Sequence, residues 1–391
     1  MKINLLLVKT LNIYRFLIYL LIDFIISFYK QEKKNNSLLL IRLDLIGDYL
    51  LFRNFLQIIR ESEKFKDYHI TLLGNEIWKS LAEKFDKEFV DEFIWINRKK
   101  FNDNFFYKFK VLKIIYLKGF ETVIECSYSR EILFGDVIVN TSRAQNRIGS
   151  SGANDNYVKW KRNLITNKYY NHIIPARNDI IFEFERNKEF FSQILNQNIT
   201  INKPYLSIER VENKFSYLKN FIIVFPGATQ KKRKWSTDKF AEVINYIISE
   251  YKLLIVIAGS KKDTVLAKKI LSKVNYNLIE DLTGKTDLPQ LAKLISQARL
   301  LISNETGAIH FAAILNTPFI CISIGNHFGR FHPYPDEMVV KGEYIFPDEI
   351  KKSLNDIDYL KTKFGYGSNL NINEISVNDV IMKVDKFLRN N

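Results

Sequence analysis

Between Phe221 and Gly325 the chain repeats one design that leaves few folds open. An apolar run of strand length ends in a turn, and an amphipathic helix follows. Phe221 to Phe225 runs into Pro226-Gly227-Ala228-Thr229, Leu253 to Ala258 into Gly259-Ser260, and Leu278 to Leu282 into Thr283-Gly284. Arg299 to Ser303 enters Asn304-Glu305-Thr306-Gly307, and Pro318 to Ile324 closes at Gly325. Helices are expected over Asp238 to Tyr251, capped by Ser236, and from Ala308 onward. Apolar strands alternating with helices specify a parallel sheet covered on both faces. Ligands bind such sheets where the strands end, and the next helix offers unpaired N–H groups to an anion.

Two of these junctions carry chemistry. At the second, Glu305 is placed to accept hydrogen bonds from sugar hydroxyls. Thr306 adds a hydroxyl, Gly307 admits a phosphate close to the backbone, and His310 follows within one helical turn. At the first, Gly227 and Thr229 precede the basic run Lys231-Lys232-Arg233-Lys234 and then Trp235.

The order strand, Pro-Gly, basic run, Trp, then Asp281-Leu282-Thr283-Gly284-Lys285-Thr286-Asp287-Leu288, then Asn304-Glu305-Thr306-Gly307-Ala308-Ile309-His310, resembles the bacterial heptosyltransferase family of glycosyltransferases (glycosyltransferase family 9). The likeness is good from Phe221 to Pro333. It extends to Ser37–Asp48, similar to that family's first strand and Gly-Asp turn, and loosely to Phe120–Glu125 and Arg147–Gly149. The resemblance implies a GT-B fold, two Rossmann-like α/β domains facing a cleft. It implies inverting transfer of a sugar from an ADP-heptose-like nucleotide-sugar donor to a lipopolysaccharide or other lipid-linked glycan acceptor. Asp48 matches the family's catalytic base; from the residues alone it is equally a cap for the next helix, and Asp44 is a rival base. Gly227, Thr229, Lys232, Arg233, Lys234, Glu305, Thr306, Gly307 and His310 are the donor-binding candidates. Two departures stand out. Arg233 occupies the position of a family lysine, leaving open which of Lys232, Arg233 and Lys234 meets the diphosphate. Glu305 stands where aspartate is common.

In the first half, strands are expected at Ser37 to Leu43, Ile70 to Leu73, Phe89 to Ile96, Thr122 to Ile124 and Val137 to Val139. Helices are expected at Tyr49 to Glu61 and Phe182 to Leu195. Tyr157 to Tyr170 shows no period and reads as loop or short elements. The link between domains is expected near Ser207 to Phe215, dividing 35–210 on the acceptor side from 211–391 on the donor side. A last amphipathic helix should run from Ser376 to Arg389. With 391 residues, 47% of them hydrophobic, the chain can carry two cores.

Residues 1–34 stand apart. From Lys9 to Lys30 the sequence is very apolar, yet Lys9, Asn12, Arg15, Asp23, Ser27 and Lys30 fall within roughly a third of a helix circumference. That ionic stripe argues against a spanning helix. It favours one in the membrane interface with Lys30, Lys33 and Lys34 toward anionic headgroups, the alternative being a helix packed on the protein itself. No cleavage site marks a signal peptide.

The net charge of +15 fits an anionic membrane surface, an acidic glycolipid or a nucleotide diphosphate. No nucleic-acid-binding module is present. Cys126 and Cys321 read as core residues of a reduced, cytoplasmic protein. Neither a metal nor a resident cofactor is expected: His327 and His332 alone approach ligand spacing, and Asp356-Ile357-Asp358 reads as surface. Together these features describe a cytoplasmic enzyme peripheral to the inner face of the membrane. Two other readings remain on the same architecture: a nucleotide-sugar epimerase and a catalytically lapsed scaffold of envelope assembly. A dinucleotide dehydrogenase lacks its Gly-X-Gly-X-X-Gly turn.

Overall fold

The computed structural model describes residues 2–153, 162–275, 277–339 and 341–389, with side chains from residue 11 onward. Lys9's side chain and residues 157–161 of the aperiodic stretch therefore lie outside the described residues. Two compact units form. The first comprises residues 1–179 and 184–200, the second 180–183 and 201–391.

In the first unit α1 (Lys2–Ile26) precedes β1 (Ser37–Arg42), α2 (Ile46–Phe52), α3 (Asn54–Glu61), β2 (His69–Asn75), α4 (Lys79–Phe85) and β3 (Glu92–Ile96). There follow α5 (Arg98–Asp103), α6 (Phe105–Lys118), β4 (Thr122–Glu125), α7 (Val137–Ser142), β5 (Asn146–Ser150), β6 (His172–Ile174) and a helix over Glu183–Leu195. The six strands are all parallel, in the order β3-β2-β1-β4-β5-β6. β1 is apolar over Leu38–Ile41 and fully buried because helices cover both its faces.

Val137–Val139 is a correction: it forms helix, not strand. A run of three β-branched residues is ambiguous by itself, and here it begins a buried turn-and-a-half ended by Arg143 at φ 50°. The helix expected over Tyr49 to Glu61 is interrupted at Arg53, whose guanidinium bonds buried Asp86 at 2.6 Å. Residues 162–169 make two short helical turns, as the missing period suggested.

The second unit repeats the plan. β7 (Phe221–Phe225), β8 (Leu254–Ile257), β9 (Ile279–Asp281), β10 (Leu300–Asn304), β11 (Phe319–Ile322) and β12 (Gly342–Ile345) are parallel, in the order β12-β11-β10-β7-β8-β9. Counted from its own first strand this is again 3-2-1-4-5-6, the Rossmann order, whose switch point lies between first and fourth strands. The helix Thr237–Tyr251 buries Phe240, Ile244, Ile247 and Ile248 on the sheet. Val380, Val384 and Leu388 of the last helix, Val377–Arg389, join the same core.

The N-terminal helix reverses the usual arrangement. Its described polar side chains point inward: Arg15 bonds Asp103 at 2.5 Å, while Asp23 accepts from Thr141 at 2.7 Å and Arg143 at 2.6 Å. Tyr19, Ile22 and Ile26 are buried beside them. Of the two expectations for this segment, the helix packed on the protein itself is the one that forms, and it packs through Arg15 and Asp23 of its ionic stripe. Among the described residues no helix is long and apolar enough to cross a membrane.

Candidate active site

The strand order fixes where each unit can hold a ligand. In the first unit the switch point lies between β1 and β4. Beyond β1 the chain turns through Leu43–Leu45 into α2, where Asp48 is the third helical residue. Its carboxylate is half-buried and accepts from the Leu45 N–H at 3.2 Å, so Asp48 caps the helix. Asp44 is more committed: Arg42 Nε lies 3.0 Å from its carboxylate, and Ser127 Oγ donates to it at 3.0 Å. Beneath this edge Glu125 ends β4 fully buried, and its Oε2 has no hydrogen-bond partner among the described residues. Burial raises its pKa from 4.5 to about 8, and the nearby Asp44 and Asp136 push the same way. A Cβ on Gly135 would come within 2.0 Å of that oxygen, so a larger residue there would push the Glu125 carboxyl aside.

In the second unit the switch point lies between β7 and β10, where most sequence candidates gather. Asn304 is the clamp. Its amide donates to the Pro226 carbonyl at 2.7 Å and its oxygen accepts from the Trp235 N–H at 3.1 Å, tying the turn after β7 to the end of the basic run. Gly227 sits over Asp263, whose carboxyl atoms would lie 2.6–2.7 Å from a Cβ there. Close packing on Asp263 is thus one reason for glycine at this turn.

The basic run divides its labour. Lys232 Nζ donates to the Ser368 carbonyl at 2.6 Å and to Asn369 Oδ1 at 3.1 Å. Arg233 Nη2 bonds the Glu305 carbonyl and lies 3.5 Å from the Glu305 carboxylate. The half-buried Lys234 side chain makes no hydrogen bond or ion pair among the described residues, and Thr229 is exposed. Of the three lysine and arginine candidates, Lys234 is therefore the one least engaged among the described residues.

Glu305 is buried. Ser323 Oγ donates to it at 2.7 Å, and desolvation raises its pKa against the pull of Arg233. The two departures from the family pattern meet in one ion pair. Thr306 caps the helix Gly307–Ile314 by accepting from the Ala308 N–H. One turn on, buried His310 meets the Tyr334 hydroxyl through Nδ1 at 2.7 Å and packs on His332 with ring centroids 4.6 Å apart. Burial, and then Arg233, lower its pKa to about 3, so the ring is neutral at physiological pH.

His332, Tyr334, Ser323 and Asp263 were not among the sequence candidates. The His-Pro-Tyr-Pro loop was visible, but nothing in the sequence links it to a residue 24 positions upstream. Among the described residues no group of His, Cys, Asp and Glu is arranged to hold a metal. Asp356 instead caps the helix Ile357–Phe364 on the surface.

Two Rossmann-ordered units, each with polar side chains at the carboxyl edge of its switch point, define the GT-B class of fold. A profile of glycosyltransferase family 9 (heptosyltransferase) matches residues 154–354, just over half of the chain, which therefore belongs to that family. Lipopolysaccharide heptosyltransferase 3 of Escherichia coli is 24% identical over 232 residues, 56% of this chain and 64% of that protein. Lipooligosaccharide heptosyltransferase 2 of Haemophilus ducreyi is 35% identical over 97 residues, 24% of this chain and 28% of its own. The chain thus spans less than two thirds of the length of these curated relatives.

Solved structures show the same fold at lower identity. The glycosyl transferase family 9 protein of Veillonella parvula superposes with a TM-score of 0.66 at 17% identity, covering 92% of this chain and 99% of that one. The E. coli heptosyltransferase WaaC, solved with ADP-2-deoxy-2-fluoro heptose, gives 0.65 at 13% identity over 90% and 99%.

Proposed function

We propose that this protein is an inverting glycosyltransferase that moves a sugar, heptose or a close relative, from a nucleotide diphosphate to a lipopolysaccharide or other envelope glycan. The observation that carries this reading is the gathering of Lys234, Arg233, Thr306 and His310 at the switch point of the second unit, in a chain of the heptosyltransferase family. WaaC, a heptosyltransferase of the same fold, was solved with an ADP-heptose analogue, which supports an ADP-linked sugar as donor.

Asp48 of the first unit takes the proton from an acceptor hydroxyl as that oxygen bonds to the anomeric carbon. The anomeric carbon–oxygen bond to phosphate breaks, and the nucleoside diphosphate leaves with the electron pair. Lys234 and Arg233 balance its growing charge, while the helix Gly307–Ile314 turns its N-terminus toward the same edge. Glu305 holds the Arg233 guanidinium and, through it, orients the donor. His310, kept neutral by burial, adds no charge to the site. The transfer takes place at the cytoplasmic face of the membrane, a reading supported by two buried free cysteines and by the outward apolar face of α1.

The test is turnover. Purified protein, ADP-heptose and heptose-deficient lipopolysaccharide are incubated together, and the product is read by mass spectrometry. A gain of one heptose, with release of ADP, is expected. ADP-heptose bound but never consumed with any envelope glycan would overturn the reading in favour of a scaffold. Free sugar released without acceptor would favour an epimerase.

A further inference from the structure

The N-terminal helix leaves a surface that the transfer reaction does not explain. At 100° per residue, Arg15, Tyr19, Ile22, Asp23 and Ile26 of α1 fall within an arc of about 100° that faces the first unit. The opposite arc of the same width carries Ile13, Leu17, Leu20, Leu21 and Phe24, with Phe28 just beyond the helix on the same line. Every one of these six is exposed, Ile13 at 62%, Phe24 at 61% and Phe28 at 75%.

A water-exposed helix normally shows the reverse, its apolar stripe inward and its charges out. Here the charges are used up inside: Arg15 is paired with Asp103, and Asp23 with Arg143 and Thr141. The ridge is about 16 Å long from Ile13 to Phe24 at 1.5 Å per residue. It is extended by α6, which packs on α1 and exposes Phe106 at 80%, Ile114 and Leu117. Contiguous apolar surface of this kind marks an interaction site.

The flanking charge identifies the occupant. Residues 28–36 carry three lysines, Lys30, Lys33 and Lys34, against one acid, Glu32. Lys113 Nζ sits 3.8 Å over the Tyr29 ring at the end of the ridge, and exposed Lys110 lies one turn earlier on α6. An apolar strip bordered by cations complements a leaflet whose acyl layer lies beneath an anionic headgroup plane.

We infer that α1 and the outer side of α6 form a fixed ridge that seats the first unit in one leaflet of an anionic bilayer. This rests on the reading of the protein as an enzyme working at the membrane, and it adds the surface, the lipid chemistry and the mode. The ridge is carried rigidly by the inward ion pairs of α1. Its attachment is mainly apolar, with the lysines adding a smaller electrostatic share that salt can screen.

Vesicle flotation of the full-length protein tests this without donor or acceptor, so it can fail or succeed independently of the transfer reaction. With vesicles of phosphatidylethanolamine and phosphatidylglycerol at 3:1, the protein should float, and 1 M NaCl should weaken its apparent lipid affinity about two- to threefold without releasing it. A Leu17→Glu/Leu21→Glu/Phe24→Glu variant should lose binding about tenfold or more with an unchanged melting temperature. Met382→Glu, at an exposed apolar residue of the second unit, should bind like wild type. The indole introduced by Leu21→Trp should shift to shorter wavelength and be quenched by lipids brominated on the acyl chain.

Flotation of the triple variant at the wild-type level, or complete release of wild type at 1 M NaCl, would overturn the apolar seat. A lipid-independent dimer that the triple variant converts to monomer, with no flotation by wild type, would assign the ridge to a second copy instead.

Discussion

The two units place a glutamate at nearly the same point, the carboxyl end of the fourth strand, and surround it differently. Glu125 ends β4 beside Gly135, and among the described residues one of its oxygens is unpartnered and no cation pairs with it. Glu305 follows β10 and is held by Ser323 and Arg233. Burial raises both pKa values, but only at Glu305 does a cation, Arg233, pull back. One strand order thus yields a neutral buried acid under the edge that bears Asp48 and a charge-paired acid within the basic edge. The fold supplies the location, and the neighbours decide whether a carboxyl is structural, positioning or reactive.

The sharpest test of this contrast is Asp48→Asn. Asparagine keeps the cap, because it accepts from the Leu45 N–H about as well, but it takes no proton. Transfer should fall about a hundredfold or more while melting temperature and donor affinity stay near wild type. The parallel Asp44→Asn should cost less than tenfold, given its ties to Arg42 and Ser127. The reverse order of effects would move the base to Asp44.

Next in size, Glu305→Ala releases Arg233 and should weaken nucleotide-sugar binding by about tenfold, with a loss of stability on the order of 2 kcal/mol from the broken, partly buried pair. Equal losses for nucleotide sugar and bare nucleoside diphosphate, measured by calorimetry, fit a carboxylate that acts through Arg233. A loss confined to the sugar form would mean that Glu305 touches the sugar directly. Lys234→Ala should follow, with about a fivefold rise in the donor's Kd and a weaker salt dependence. An unchanged Kd would hand the diphosphate to Lys232 or Arg233.

The smallest effect falls on Glu125, and its sign can be worked out. Its folded pKa, about 8, lies above the ordinary 4.5, so the native state holds the extra proton between those values. Stability from this group is full below about pH 4.5 and is lost as pH rises through 8. Glu125→Gln imitates the protonated form. It should leave transfer intact, flatten the fall in melting temperature from pH 5 to 8, and melt a few degrees above wild type at pH 9. A melting profile as steep as wild type would mean that Glu125 is ionised in the native state.

Much of this was legible in the sequence where local pattern decides. The strands from Phe221 to Gly325 read correctly because doubly covered parallel strands are continuous apolar runs. α6 escaped notice because apolar residues surround it on most sides, which erases the helical period. β5 and β6 are too short and polar to register, and Val137–Val139 was taken for a strand on residue type alone. At the candidate site the residues were visible but their partners were not. Lys232, Arg233 and Lys234 look interchangeable in sequence, and only tertiary contacts give them a tail carbonyl, a carboxylate and no protein partner among the described residues. The ionic stripe of α1 was equally visible, but no periodicity reveals which side of a helix faces the protein.

The stitching of residues 232–239 to residues 368–375 has a consequence in time. Lys232 bonds the Ser368 carbonyl, the Ser236 N–H bonds Asn373 Oδ1, and both Trp235 Nε1 and Lys239 Nζ reach the Ile375 carbonyl. During synthesis the basic run leaves the ribosome more than a hundred residues before these partners do. The sheet can assemble around β7 and β10 in that interval, with Asn304 and Glu305 already holding the cationic turn at Trp235 and Arg233, but its anchors at Lys232, Ser236 and Lys239 wait for the tail. A growing chain therefore carries a donor-side loop that is complete in sequence and unfinished in form, and nucleotide-sugar recognition should be among the last properties it acquires.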